Sequence, residues 1–207
     1  MKKIILSTLF VLAFGFTYAQ KAEFGIKGGL NSSNFSGNTE DMNFKPRVGF
    51  NVGAFAAIKL SEKVTLQPEI LYSTQGAKAE NVNADVNGVN YTADIDFNLS
   101  YINVPVMFKY YVADKFNLEA GPQIGFLTSA ETSTKVDGFN QTVDQDAKEY
   151  LESVDFGFNF GAGYDFTEKI FAGIRYNIGL SNVLKTQSGD NSEWQNSLLS
   201  LSVGYKF

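Results

Sequence analysis

The sequence predicts an all-β protein: an eight-stranded antiparallel up-and-down transmembrane β-barrel with short periplasmic turns and long extracellular loops. Three observations predict it. From Leu199 to Phe207 the chain alternates strictly, with Leu199, Leu201, Val203, Tyr205 and Phe207 on one face and Ser200, Ser202, Gly204 and Lys206 on the other. Such a period of two, with one wholly apolar face, marks a strand between two different solvents. Connections along the chain alternate short and long, as they do in barrels of the outer membrane. No stretch after residue 20 is long and apolar enough for a transmembrane helix, so a spanning chain of this composition spans as a barrel.

The eight segments follow in order. Ala22 to Asn31 sets Phe24, Ile26 and Leu30 against Lys27 and Asn31, and Arg47 to Leu60 sets seven apolar residues against Arg47, Asn51 and Lys59, with Phe55 the large exception. Val64 to Gln75 opposes Val64, Leu66, Ile70 and Tyr72 to Gln67, Glu69 and Ser73. Phe97 to Val112 opposes Ile102, Val104, Val106, Phe108 and Tyr110 to Asn103 and Lys109. Phe116 to Thr128 carries Asn117, Glu119 and Gln123 on its polar face, and Val154 to Tyr164 alternates Phe156, Phe158 and Phe160 with Asp155, Gly157, Asn159 and Gly161. Ile170 to Ser181 sets Ile174, Tyr176 and Ile178 against Arg175 and Asn177, and the terminal strand begins near Asn196.

Ser61-Glu62-Lys63, Ala113-Asp114-Lys115 and Thr167-Glu168-Lys169 are near-copies of one tight turn, so the chain reads as a weak repeat of hairpins. Long polar segments at 32–46, 76–96, 129–152 and 182–195 separate them; these carry fourteen acidic and five basic residues, a net of −9. An even strand number puts both termini with the short turns, on the periplasmic side. Tyr110, Tyr164, Phe166, Tyr205 and Phe207 fall near the short-turn end, and Tyr72, Phe126 and Trp194 near the long-loop end, where aromatic side chains favour a water–lipid interface. Within the loops, Asp144 to Ser153 reads as a short helix, and Glu80 to Asn90 as a segment that stays disordered until a partner orders it.

At the N-terminus, Met1-Lys-Lys precedes an apolar run from Ile4 to Phe16 and the small-residue pattern before Ala19. This predicts a signal peptide over residues 1–19, cleaved between Ala19 and Gln20, with the barrel domain over 20–207. Cleavage removes Lys2 and Lys3, taking the formal charge from −5 to −7. An acidic chain of this kind argues against a nucleic-acid partner. The chain has no Cys, so disulfides, lipidation and a thiol nucleophile are excluded; it has no His, which removes the usual general base and the commonest metal ligand.

Tyr101-Ile-Asn-Val-Pro-Val-Met-Phe-Lys-Tyr-Tyr111, followed by Leu118-Glu-Ala-Gly-Pro122, resembles the PorT-like outer-membrane β-barrel proteins of the Bacteroidota, also described as an outer-membrane β-barrel domain. Gly28-Gly-Leu-Asn31, Gln67-Pro-Glu-Ile-Leu-Tyr72 and Gly173-Ile-Arg-Tyr-Asn177 fit the same pattern, while Asn103 stands where the family often has a carboxylate. The resemblance implies a barrel, and its namesake implies an association with protein secretion in gliding bacteria.

The candidate site is the lumen. Lys27, Arg47, Glu69, Lys109, Glu119, Asp155 and Arg175 all fall on inward faces. An eight-stranded barrel is just wide enough for side chains to fill it, and buried charges persist when paired. The expectation is therefore a structural plug of ion pairs and amides, with no catalytic, cofactor or metal site. Tyr205 and Phe207 form the expected outer-membrane insertion signal. Expected partners are outer-membrane lipid, the barrel-insertion machinery during assembly, and an envelope protein docked on loops or wall of a monomeric barrel. The other reading is surface recognition or a narrow small-solute channel with acidic extracellular loops.

Overall fold

A computed structural model describes residues 22–38, 44–86, 89–136, 142–185 and 192–207, with backbone alone at 84–86, 89 and 90. The strands are β1 (Ala22–Asn38), β2 (Phe44–Lys59), β3 (Val64–Val86), β4 (Val89–Ala113), β5 (Phe116–Val136), β6 (Thr142–Asp146), β7 (Val154–Asp165), β8 (Ile170–Gly179) and β9 (Glu193–Lys206). Every pairing is antiparallel. The sheet runs β4-β3-β2-β1-β9-β8-β7-β5, and β4 pairs with β5 to close it into a barrel of eight strands. β6 is the ninth strand and stands outside the ring, paired with β5 alone.

Alternation sorts the residues as the period of two requires. Phe24, Ile26, Leu30, Val52, Phe108, Leu118, Phe158, Ile174, Leu201 and Val203 point outward and are exposed, while Lys27, Asn31, Glu69, Asn103, Glu119, Asn159 and Arg175 are buried inside. The usual arrangement of a globular protein is inverted: the apolar side faces out.

Local chemistry forms the short turns. Ser61 Oγ accepts hydrogen bonds from the Lys63 and Val64 amides at 3.3 and 3.1 Å, and Thr167 Oγ1 accepts from Lys169 and Ile170 at 3.2 and 2.9 Å. A hydroxyl at the first position thus holds each turn in place. The middle copy has Ala113 there, and its strands run closer to the tip, leaving two residues between β4 and β5.

At the other end the structure departs from the expectations in three places. Glu80 to Val86 is part of β3, paired with β4 up to Val86↔Val89. The β4–β5 ladder reaches Ala93↔Val136, so the base of this hairpin has a neighbouring strand to lie against; positions 87 and 88 of the expected disordered segment lie outside the described residues. The short helix expected over Asp144 to Ser153 is instead strand β6 and one 3-10 turn, Lys148–Tyr150, whose first amide is held by Asp146 Oδ1 at 2.8 Å. Trp194 lies inside the barrel mouth rather than at the lipid interface.

Strands β3 and β4, of 23 and 25 residues, far exceed the roughly ten needed to cross a membrane at a tilt. β2 accompanies β3 only as far as Phe44↔Ala79. Beyond that level, β3, β4, β5 and β6 continue as a projecting four-stranded sheet.

Candidate functional site

Inward-facing side chains stack in layers along the barrel axis. At the short-turn end lie Phe55 and Phe171, edge to face with ring centroids 5.4 Å apart. They fit because Gly25 and Gly204 face inward beside them; a Cβ on either glycine would run into the Phe55 or Phe171 ring. Lys109 and Lys206 sit over the Phe171 ring at 4.9 and 5.7 Å, a cation–π arrangement. Lys206 also pairs with Asp165 at 3.0 Å, and Tyr111 donates its hydroxyl to the same carboxylate at 3.1 Å.

The next layer is an ion network of five side chains. Arg175 on β8 donates from Nη2 and Nη1 to the two oxygens of Glu69 at 2.9 and 3.0 Å, and from Nε to Glu119 at 2.8 Å. Lys27 on β1 and Gln67 donate to Glu69 at 3.3 and 2.8 Å, and Lys109 on β4 approaches Glu119 at 3.6 Å. The planar guanidinium grips Glu69 with two N–H groups while a third reaches Glu119, a fork that the single nitrogen of a Lys does not reproduce. Each carboxylate is locked by cations, so neither is placed to shuttle a proton.

Above this network comes a layer of amides and hydroxyls. Asn51 donates to Asn31 at 2.7 Å and Asn31 to Ser73 at 2.9 Å; Asn177 donates to Asn159 at 3.1 Å and Asn159 to Gln123 at 3.2 Å. The loop end is closed by Phe35, Phe44, Phe97 and Trp194, with Phe44 and Trp194 4.9 Å apart and Phe35 stacked on Trp194 at 5.4 Å. Leu99, Tyr101, Leu127, Leu151 and Val183 complete this cap. Two gaps of about 20 and 10 Å³ remain inside the lumen, each the size of a single water. A large opening, about 1070 Å³, is the charged mouth at the short-turn end, lined among others by Glu23, Lys59, Lys63 and Asp114.

Of the seven lumen residues expected from sequence, the structure brings Lys27, Glu69, Lys109, Glu119 and Arg175 together. Arg47 is not among them: it is half-exposed, beside the irregularity between Pro46 and Asn51 in β2, and makes no ion pair among the described residues. Asp155 is buried but stands apart, held by Ser181 Oγ at 2.7 Å and Asn196 Nδ2 at 3.0 Å, with no cation partner among the described residues. Tyr205 and Phe207 are exposed at the end of β9, rings 6.0 Å apart. Ala19 and Gln20 lie outside the described residues. Sequence reasoning missed the Phe55–Phe171 pair, the Lys206–Asp165 pair and the aromatic cap. Phe55 and Phe171 did carry a signal, as large apolar residues in the inward phase. Among the described residues, no group of three or more His, Cys, Asp or Glu side chains is arranged to hold a metal.

Residues 18–185 match the family described as outer membrane protein beta-barrel domain. The chain belongs to that family. It is therefore an integral outer-membrane barrel, and the exposed apolar wall described above is its lipid-facing surface. Many solved structures match the chain, and two illustrate the shared fold. Ail, the attachment invasion locus protein of Yersinia pestis, in complex with the heparin analogue sucrose octasulfate, is 13% identical over 90% of this chain and 99% of that chain, with a TM-score of 0.52. Neisserial surface protein A is 17% identical over 90% and 99%, with a TM-score of 0.50. At such identity the likeness is one of fold. No curated protein matches the sequence.

Proposed function

We propose that this outer-membrane barrel is non-enzymatic and acts as a structural or assembly scaffold of the cell envelope, docking another protein at its loop end. The observation that carries the reading is the contrast between a filled lumen and a long projecting sheet. A lumen with room for single waters serves no solute, whereas strands twice the spanning length present backbone edges and side chains beyond the membrane. β6 is an exposed edge strand bearing Asp144 and Asp146, with Glu149 and Glu152 following, so a partner of basic character fits it best.

In this reading the short turns and both termini are periplasmic and the sheet is extracellular. Residues 1–19 are a cleaved signal peptide, and Tyr205 and Phe207 are recognised during insertion. The PorT-like resemblance supports a place in a secretion-related assembly of the Bacteroidota. The second reading, surface recognition of a small ligand, draws on the same acidic edge; a narrow channel would have to displace the aromatic cap.

Affinity purification of the tagged mature protein from native outer membranes in mild detergent tests the scaffold reading. A stoichiometric envelope protein, lost when residues 80–92 are replaced by a tight turn, is the expected result. A lone barrel that shifts mobility on heating would sink it, and ligand-dependent conductance would favour the second reading.

A further inference from the structure

Three of the four prolines of this chain meet in space, and each falls at a break in strand pairing. The β2–β3 ladder is interrupted between Phe55↔Glu69 and Ile58↔Leu66, where Ala56 and Ala57 face Pro68 and Gln67. The β3–β4 ladder is interrupted between Pro68↔Val106 and Leu71↔Asn103, where Glu69 faces Pro105. The β4–β5 ladder is interrupted between Pro105↔Gln123 and Phe108↔Ala120, where Val106 faces Pro122. Proline has no N–H, and the N–H and C=O of one strand residue point toward the same neighbour, so each proline silences one seam. Alternation along the strands fits this assignment: Pro68 addresses β2, Pro105 addresses β3 and Pro122 addresses β4.

The other half of the wall is whole. Pairing is unbroken from Ala22↔Ile58 to Ser33↔Arg47 between β1 and β2, and throughout β1–β9, β8–β9, β7–β8 and β5–β7. The ion network bridges the two halves. Its carboxylates, Glu69 and Glu119, belong to β3 and β5 on the gapped side, with Glu69 directly following Pro68. Arg175 and Lys27 belong to β8 and β1 on the whole side.

We propose that the two halves of the wall are mechanically distinct: β2 to β5 open locally along the line of proline gaps, and the Glu69–Arg175–Glu119 ion network is the latch that holds them closed. The projecting sheet is the continuation of β3, β4 and β5, so a load on that sheet reaches the gapped half and the latch before the rest of the barrel. The inference stands on pairing and ion geometry and does not depend on the docking reading.

Hydrogen exchange of the full mature protein in detergent micelles, read by mass spectrometry, tests it. In the wild type, amides at 67, 69–71, 104, 106, 107, 121 and 123 should exchange at least tenfold faster than those at 28–30, 161–163 and 199–203. Glu69→Gln and Glu119→Gln should raise exchange a further several-fold in the first set alone, and Pro105→Val should slow it. Equal exchange in the two halves of the wild type would overturn the proposal without any variant. A rise spread evenly over both halves in the Gln variants would overturn the latch.

Discussion

The half of the wall formed by β7, β8, β9 and β1 and the half formed by β2 to β5 bury the same kinds of side chain yet cohere by different means. In the first, backbone ladders are continuous, and inward Ser200, Ser202, Asn159 and Asn177 donate neutral hydrogen bonds to the Arg175 carbonyl, Asn51, Gln123 and Asn159. In the second, the ladder fails at Pro68, Pro105 and Pro122 and shifts register at further points along β2 to β5, and the strands are held from inside by carboxylates reaching across to Arg175 and Lys27. In lipid, where no water replaces a lost backbone hydrogen bond, such gaps are costly. Their cost is offset by charge pairing that would add little in an intact wall. The difference teaches that the two network carboxylates, Glu69 and Glu119, stand on the gapped half, while the cations Arg175 and Lys27 that hold them stand on the unbroken one.

The largest effect expected on that contrast comes from Arg175→Met. It leaves Glu69 and Glu119 without their shared partner, and should cost about 3–5 kcal/mol of unfolding free energy. Urea unfolding in micelles, followed by the gel-mobility difference between folded and unfolded barrel, would measure it; a loss below about 1 kcal/mol would deny the network its stapling role. Next is the link between Phe55, on the gapped half, and Phe171, on the whole half. A double-mutant cycle to Ala should return a coupling of about 1 kcal/mol beyond the single truncations. Additive effects would mean that the rings fill space without joining the halves.

Pro122→Val should stabilise the barrel by roughly 1 kcal/mol, since it restores one donor to the β4–β5 seam. No gain in urea midpoint would show that the gap is set by strand curvature and not by the missing N–H. The smallest change is expected at Asp155, where Asn removes a buried charge without a cation among the described residues, keeps an acceptor for one of its two donors, and lets the Ser181 hydroxyl turn to accept from the new amide. Asp155→Asn should raise stability by up to about 1 kcal/mol. A clear loss in the same assay would point to a role for the carboxylate that its neighbours do not reveal.

These features differ in how far they could be read from residues. The wall was legible because lipid on one side and a polar lumen on the other impose alternation, and β7, with Phe156, Phe158 and Phe160 against Asp155, Asn159 and Gly161, carries it in full. Alternation fixes the face of a residue but not its height, because strand tilt and stagger move neighbours along the axis. Hence Asp155 and Arg47 shared the inward phase of Arg175 but not its level. The projecting part of β3 and β4 and strand β6 escaped for another reason. Both of their faces meet water over much of their length, so Asn, Asp and Thr replace the apolar residues that would mark a period. The proline line was visible as three separate residues but not as a line, since only the register brings Pro68, Pro105 and Pro122 to adjacent seams.

The cap at the loop end has an optical consequence. Trp194 is the only tryptophan in the chain, it is packed among Phe35, Phe44 and Phe97, and its indole nitrogen has no hydrogen-bond partner among the described residues. The intrinsic tryptophan fluorescence of the whole protein therefore arises from one dry, apolar point where the barrel meets its projecting sheet. Its emission should lie to the blue while the cap is shut, and move to the red when anything pulls the sheet aside and admits water. The molecule carries its own reporter at the place where a partner would have to act.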